Sequence, residues 1–220
     1  KLDGVHEGYV NSVAFSPDDR LVLTASDDGT ARLWHAVDGT PTGVAFTGHN
    51  QRVRQACFSP AGQNVRSVGN DKPAGLWDAA TGAEVAQFAG HEWAVLCGGF
   101  SGDGRRIITG GEDNRAIVWD AATGERLATL AGHTAAVTAV ALSPDGSRAL
   151  TGSEDNAVKL WDAATGEDIL TLVGHDDVVT DVSFAPDGLG ALTSGRDGRT
   201  LLWPAAPWRT PADLSWRSGK

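Results

Sequence analysis

The stretch Trp119-Asp120-Ala121-Ala122-Thr123-Gly124-Glu125 returns letter for letter as Trp161-Asp162-Ala163-Ala164-Thr165-Gly166-Glu167, and with one change as Trp77-Asp78-Ala79-Ala80-Thr81-Gly82-Ala83. Working outward from it, Trp77, Trp119, Trp161 and Trp203 stand 42 residues apart, and so do His49, His91, His133 and His175, each preceded by glycine. A fifth, earlier copy runs from His6 to Trp34, and one extra residue between Trp34 and His49 makes that step 43. In every copy the His lies 28 residues before the Trp. An Asp stands six before each Trp (Asp28, Asp71, Asp113, Asp155, Asp197), and a Ser or Thr four before each Asp (Thr24, Ser67, Thr109, Thr151, Thr193). Five coincidences of this kind mark a repeat architecture, whose period is read before any local pattern.

Within a copy the signals are those of short strands. Ala136 to Leu142 alternates small and β-branched residues, and Ser143-Pro144-Asp145-Gly146 reads as a tight turn. Arg148 to Gly152 is a second strand, Ala157 to Trp161 a third and Asp168 to Leu172 a fourth, with turn residues between them. No long window carries a helical apolar stripe. Four antiparallel strands per period describe one blade of a radial all-β assembly.

The 220-residue chain carries 28 Asp and Glu against 18 Lys and Arg, a net charge of −10. That balance disfavours a phosphate-backbone partner, so no nucleic acid is expected. No apolar run approaches a membrane span, and no membrane partner is expected. Cys57 and Cys97 form no CxxC, and are read as small buried apolar residues rather than reactive thiols. A cytoplasmic location is the expectation.

The pattern Gly-His … Ser-Pro-Asp-Gly … Ser/Thr … Asp … Trp-Asp resembles the WD40 repeat over residues 4 to 203. The resemblance implies a β-propeller, here of five four-stranded blades, with repeats at about 4–36, 47–79, 89–121, 131–163 and 173–204. Residues 1–206 then hold the repeats, and 207–220 form a tail with a candidate last outer strand at Arg209 to Leu214. Because the family usually closes rings of seven or eight blades, the chain is expected to be an arc of a longer ring in preference to a five-bladed assembly, with Lys1-Leu2-Asp3 the stub of a preceding outer strand.

An Asp, a His and a Ser or Thr at fixed spacing invite comparison with a hydrolase triad. A catalytic site is normally built once, however, whereas this set is built five times. The resemblance implies a hydrogen-bond chain inside each blade, from the Trp161 indole through Thr151 and His133 to Asp155, and likewise in the other copies. The donor and acceptor capacities of the four side chains allow such a chain to be satisfied end to end. These residues are therefore read as structural, with no catalytic group, metal site or cofactor expected. Five of the six histidines are committed this way, and His35, which replaces the Asp after Trp34, is expected to face solvent.

Copies one, two and five depart from the pattern, copy one with Gly4-Val5-His6 in place of Gly-His and Trp34-His35 in place of Trp-Asp. Pro73 and Gly75 fall in the third strand of copy two, which should be short or distorted. Copy five ends in Trp203-Pro204, and its candidate outer strand contains Pro211.

The resemblance implies a rigid scaffold that binds proteins or peptides, including other domains of its own chain, on the face carrying the His-side loops. Positions that vary between copies are the ones free to read a partner. The third residue after each His runs Tyr9, Arg52, Ala94, Ala136, Val178, and the fifth runs Asn11, Arg54, Leu96, Thr138, Thr180. Tyr9, Arg52, Arg54 and Trp93 make the expected patch, since aromatic and Arg side chains anchor interfaces. Two Arg on an acidic molecule would suit an acidic segment or a C-terminal carboxylate. The competing reading has both Arg paired with neighbouring acids and Trp93 capping a blade edge. Two further alternatives are a stiff module attached to a signalling or catalytic domain, and a cation or active site near Asp176, Asp177 and Asp181.

Overall fold

The computed structural model describes residues 6–71 and 73–204, and every regular element among them is a strand. Blade 1 is formed by β1 (Val10–Phe15), β2 (Leu21–Ser26), β3 (Thr30–His35) and β4 (Pro41–Thr47). Blade 2 holds β5 (Val53–Phe58), β6 (Asn64–Gly69), β7 (Ala74–Asp78) and β8 (Glu84–Phe88). Blade 3 holds β9 (Val95–Phe100), β10 (Arg106–Gly111), β11 (Arg115–Asp120) and β12 (Arg126–Ala131). Blade 4 holds β13 (Val137–Leu142), β14 (Arg148–Ser153), β15 (Val158–Asp162) and β16 (Asp168–Leu172). Blade 5 shows β17 (Val179–Phe184), β18 (Gly190–Gly195) and β19 (Thr200–Pro204). Each is an antiparallel sheet in chain order, so blade 5 has three strands among the described residues. The outer strand expected at Arg209 to Leu214 and the stub at Lys1-Leu2-Asp3 lie outside the described residues.

The turns between first and second strands are fixed by local chemistry. In blade 4 the Asp145 carboxylate accepts the Ser143 hydroxyl at 2.6 Å and the Ser147 N–H at 3.0 Å, while Gly146 takes a φ of 69°. Blade 1 uses Asp19 at that position with a φ of 58°, one of the few side chains that tolerate the left-handed region.

Two bulges recur, and they decide which side chains reach which surface. Between first and second strands the register skips one residue of the inner strand: Asn11, Arg54, Leu96, Thr138 and Thr180. These are the varying fifth residues after each His, and all five line one central cavity of about 260 Å³. Between third and fourth strands the skipped residues are Val85, Leu127 and Ile169 in blades 2 to 4, which explains three exposed apolar side chains. Blade 1 accommodates its extra residue here, with Gly43 at a φ of 86° between Trp34↔Pro41 and Arg32↔Ala45.

The core lies in the seams between blades. Leu23 and Leu33 of blade 1 pack with Val53, Val65 and Trp77 of blade 2, and Ile108 and Val118 of blade 3 with Val137, Ala149 and Trp161 of blade 4. Each seam therefore buries the tryptophan of the following blade against the strands of the preceding one. In copy two, β7 is a regular five-residue strand that pairs with both neighbours, and the irregularity amounts to one fewer pair with β6 than blade 4 has.

Candidate interaction face

Each blade joins the same four side chains. In blade 4 the Trp161 indole N–H donates to Thr151 Oγ1 at 2.8 Å, Thr151 Oγ1 lies 2.7 Å from His133 Nε2, and His133 Nδ1 lies 2.9 Å from Asp155 Oδ2. The links repeat as Trp34–Thr24–His6–Asp28, Trp77–Ser67–His49–Asp71, Trp119–Thr109–His91–Asp113 and Trp203–Thr193–His175–Asp197. Only one protonation pattern uses every group once: the Thr hydroxyl accepts from Trp and donates to Nε2, and a neutral His donates from Nδ1 to Asp. Burial pushes the His133 imidazole below its ordinary range, in keeping with that neutral form.

The carboxylates also gather backbone. Asp155 accepts the N–H groups of Thr134 and Ala157 at 2.9 and 3.0 Å, clamping the His loop to the turn after the second strand. Burial pushes the Asp28 carboxyl up, but hydrogen bonds from the Thr30 hydroxyl, His6 and the N–H groups of Thr30 and Glu7 outweigh it and hold the group well below the usual carboxylate range. These clamps leave the intervening loops presented on one face.

On that face Tyr9 is 85% exposed and Trp93 61%. Arg52 lies 3.7 Å from Asp27, and Arg54 donates to Asn70 Oδ1 and approaches Glu112 at 4.0 Å. Both guanidinium groups thus lie near acids of their own molecule, in exposed pairs of the kind that contribute little. Arg54 and Trp93 share the lining of an open depression of about 470 Å³ with Leu96, Glu112, Ala136 and Glu154; Tyr9 and Arg52 are not part of it.

The remaining candidates fall elsewhere. Cys97 is buried, and burial pushes its thiol up to about 12, but Cys57 is only half-buried and its sulfur sits 3.1 Å from Arg66 Nη2. The expectation of two buried apolar cysteines is thereby corrected: Cys57 is only partly buried and accepts from a guanidinium. Arg66 itself, fully buried on β6, escaped the reading of the sequence. Its Nη2 donates to Gln55 Oε1 at 3.3 Å, while Nε and Nη1 have no partner among the described residues. The available signal was an Arg where the other copies have Leu23, Ile108, Leu150 and Leu192. Asp177 and Asp181 each accept a neighbouring backbone N–H, and Asp176 pairs with Arg199 at 3.0 Å. Among the described residues no three His, Cys, Asp or Glu side chains are grouped to hold a metal ion, and no helix is long and apolar enough to cross a membrane. His35 is exposed.

Comparison with known proteins adds independent findings. The family model described as WD domain, G-beta repeat matches residues 4–35, 82–120, 124–162 and 166–204. The chain is 41% identical over 56 residues to the SIR4-interacting protein SIF2 of Saccharomyces cerevisiae, covering 26% of this chain and 10% of that protein. It is 53% identical over 34 residues to WD repeat-containing protein 86 of Homo sapiens, covering 16% and 9%. It is 51% identical over 39 residues to the small ribosomal subunit protein RACK1y of Oryza sativa, covering 18% and 11%. The matches thus span about a tenth of the length of these relatives.

Proposed function

The chain belongs to the WD40 repeat family, and from that premise we propose that it is a non-catalytic, cytoplasmic scaffold whose His-side loops bind a protein or peptide segment. WD40 repeat proteins generally bind other proteins. One observation carries the reading for this chain: the repeated polar residues are spent on one another inside each blade, while Trp93 and Arg54, two of the exposed non-repeated ones, line one open depression. Its lining combines Leu96, Ala136 and the Trp93 indole with Glu112 and Glu154 against one Arg54. That composition suits a segment with one apolar side chain to lie on Trp93 and one basic side chain to sit between the carboxylates.

The test is capture of proteins from a lysate by the immobilised chain, followed by binding of peptides derived from what is captured. Trp93→Ala should weaken binding by about tenfold or more, as expected for a centrally placed aromatic anchor. Reversing the acids in Glu112→Lys with Glu154→Lys should abolish it and leave thermal stability unchanged. Partners retained equally by both variants, or a preference for acidic peptides, would overturn the reading.

A further inference from the structure

Three departures from the repeat meet in the seam between blades 2 and 3. Arg66 stands on β6 where the other copies have Leu23, Ile108, Leu150 and Leu192. Cys57 stands on β5 where they have Ala14, Gly99, Ala141 and Ser183, and Gly98 on β9 where they have Val13, Ala56, Val140 and Val182. Cys57 and Arg66 are directly opposed in the ladder, so both side chains leave the sheet on one face. That face is turned to blade 3, since a Cβ at Gly98 would lie 2.7 Å from Arg66 Nη1.

Acceptors are short around this guanidinium. Arg66 is 0% exposed and carries five N–H donors on a group that keeps its charge. Gln55 Oε1 accepts from Nη2 at 3.3 Å and also from the Gly98 N–H at 3.2 Å, which occupies both of its lone pairs. The other partner of Nη2 is Cys57 Sγ at 3.1 Å, and sulfur is a weak acceptor. Nε and Nη1 have no partner among the described residues.

We propose that Cys57 is a site of oxidation by hydrogen peroxide, and that the sulfinate so formed is bound by Arg66. A thiol oxidises where solvent reaches it and positive charge stands beside it, and the half-buried Cys57 meets both conditions. In the first step the sulfur attacks one peroxide oxygen; the S–O bond forms as the O–O bond breaks, and the thiol proton leaves with the departing oxygen as water. Sulfur loses two electrons and the peroxide gains them. A second peroxide repeats the step on the sulfenic acid, a second water leaves, and the sulfinic acid releases its proton to solvent. The other cysteine, Cys97, is turned to the opposite seam, its sulfur 3.6 Å from the Val137 carbonyl of blade 4, so it does not intercept the sulfenic acid as a disulfide. The oxygens replace a weak acceptor with strong ones, and the final anion matches the buried cation. The proposal uses neither the Trp93 depression nor the four-residue chains, and stands apart from the function proposed above.

Peptide mapping by mass spectrometry after peroxide treatment tests it, and the chain has no methionine to compete for oxygen. Cys57 should gain two oxygen atoms while Cys97 stays a thiol. The thermal midpoint of the treated wild type should rise by about 3 °C or more. That of treated Arg66→Met should fall, because its anion meets no cation, and that of treated Cys57→Ser should not change. Cys57→Asp supplies an anion without oxidation: it should melt above Cys57→Asn in the wild-type background and not in Arg66→Met. A Cys57 left as the thiol, oxidation reaching Cys97 first, a Cys57–Cys97 disulfide, a wild-type midpoint lowered by oxidation, or a Cys57→Asp chain melting no higher than Cys57→Asn would overturn the proposal.

Discussion

Asp155 ties two parts of its blade together, accepting the His133 imidazole and the Thr134 N–H from the His loop and the Ala157 N–H from the turn after the second strand. Removing the carboxylate in Asp155→Ala strands them, and should cost about 1–3 kcal/mol in denaturant unfolding. Trp161→Ala empties a seam as well as ending the chain of hydrogen bonds, and should cost about 3–5 kcal/mol; values under 1 kcal/mol for either would show that the chain does not brace the blade. The same groups set the response to acid. Burial depresses the His133 imidazole, so the unfolded chain takes up that proton first once the pH falls below about 6.5. The stability tied to the neutral imidazole is thus present above that range and declines below it. Asp155 is held below its ordinary range by the same clamp, the backbone N–H groups and His133 outweighing the upward push of burial. Its contribution persists down to about pH 4 and is lost as the pH drops further. The thermal midpoint should fall between pH 7 and 5 and fall more steeply below pH 4; a midpoint that rises from pH 7 to 5 would contradict this. At this scale the sequence was informative wherever a residue recurs at one offset, since a shared packing problem leaves a shared solution. For Arg66 the signal was a single exception to an aliphatic offset, which marks an unusual side chain but not the partners that its guanidinium finds.

At the scale of strands and seams, small residues set how closely blades approach. A Cβ at Gly152 would lie 2.4 Å from Val179 Cγ1, whereas one at Gly99 would meet nothing nearer than 3.9 Å. Gly152→Ala should therefore destabilise by about 1–3 kcal/mol through overpacking and Gly99→Ala should be near neutral, both read from chemical denaturation. Arg66 poses the opposite problem: a buried cation with two unpartnered nitrogens between blades 2 and 3. Arg66→Met keeps most of the volume and removes the desolvated charge, so stability should stay level or rise, by up to a few kcal/mol. A loss of more than about 2 kcal/mol would show that the guanidinium is satisfied by groups other than Gln55 and Cys57. Strand order and turns were legible from alternation and from Ser-Pro-Asp-Gly. The bulges were not: the sequence shows that Asn11, Arg54, Leu96, Thr138 and Thr180 vary, but only the register shows that each is thrust from its ladder into the central cavity.

Across the whole molecule, innermost strands pack in succession, β1 on β5, β5 on β9, β9 on β13 and β13 on β17, so stability is shared mainly between neighbours. Blades 2, 3 and 4 have two seams each. Amide exchange should accordingly be slowest in β10, β11, β14 and β15 and fastest in β1 and β19. Uniform protection across all five blades would instead indicate a single cooperative unit. Three of the matched family segments, 82–120, 124–162 and 166–204, begin with the outer strand of one blade and end within the next. One unit of sequence thereby staples two units of structure.

The Arg66 seam limits how such an array could be edited by recombination. A Cβ at Gly98 would lie 2.7 Å from Arg66 Nη1, so blade 3 accommodates its neighbour only by having no side chain there. Blade 4 has Val140 at the corresponding place. Excising one whole repeat to join blade 2 to blade 4 would drive a guanidinium into an isopropyl group. Near-identical units that look interchangeable in their letters are, at this joint, keyed to a single order.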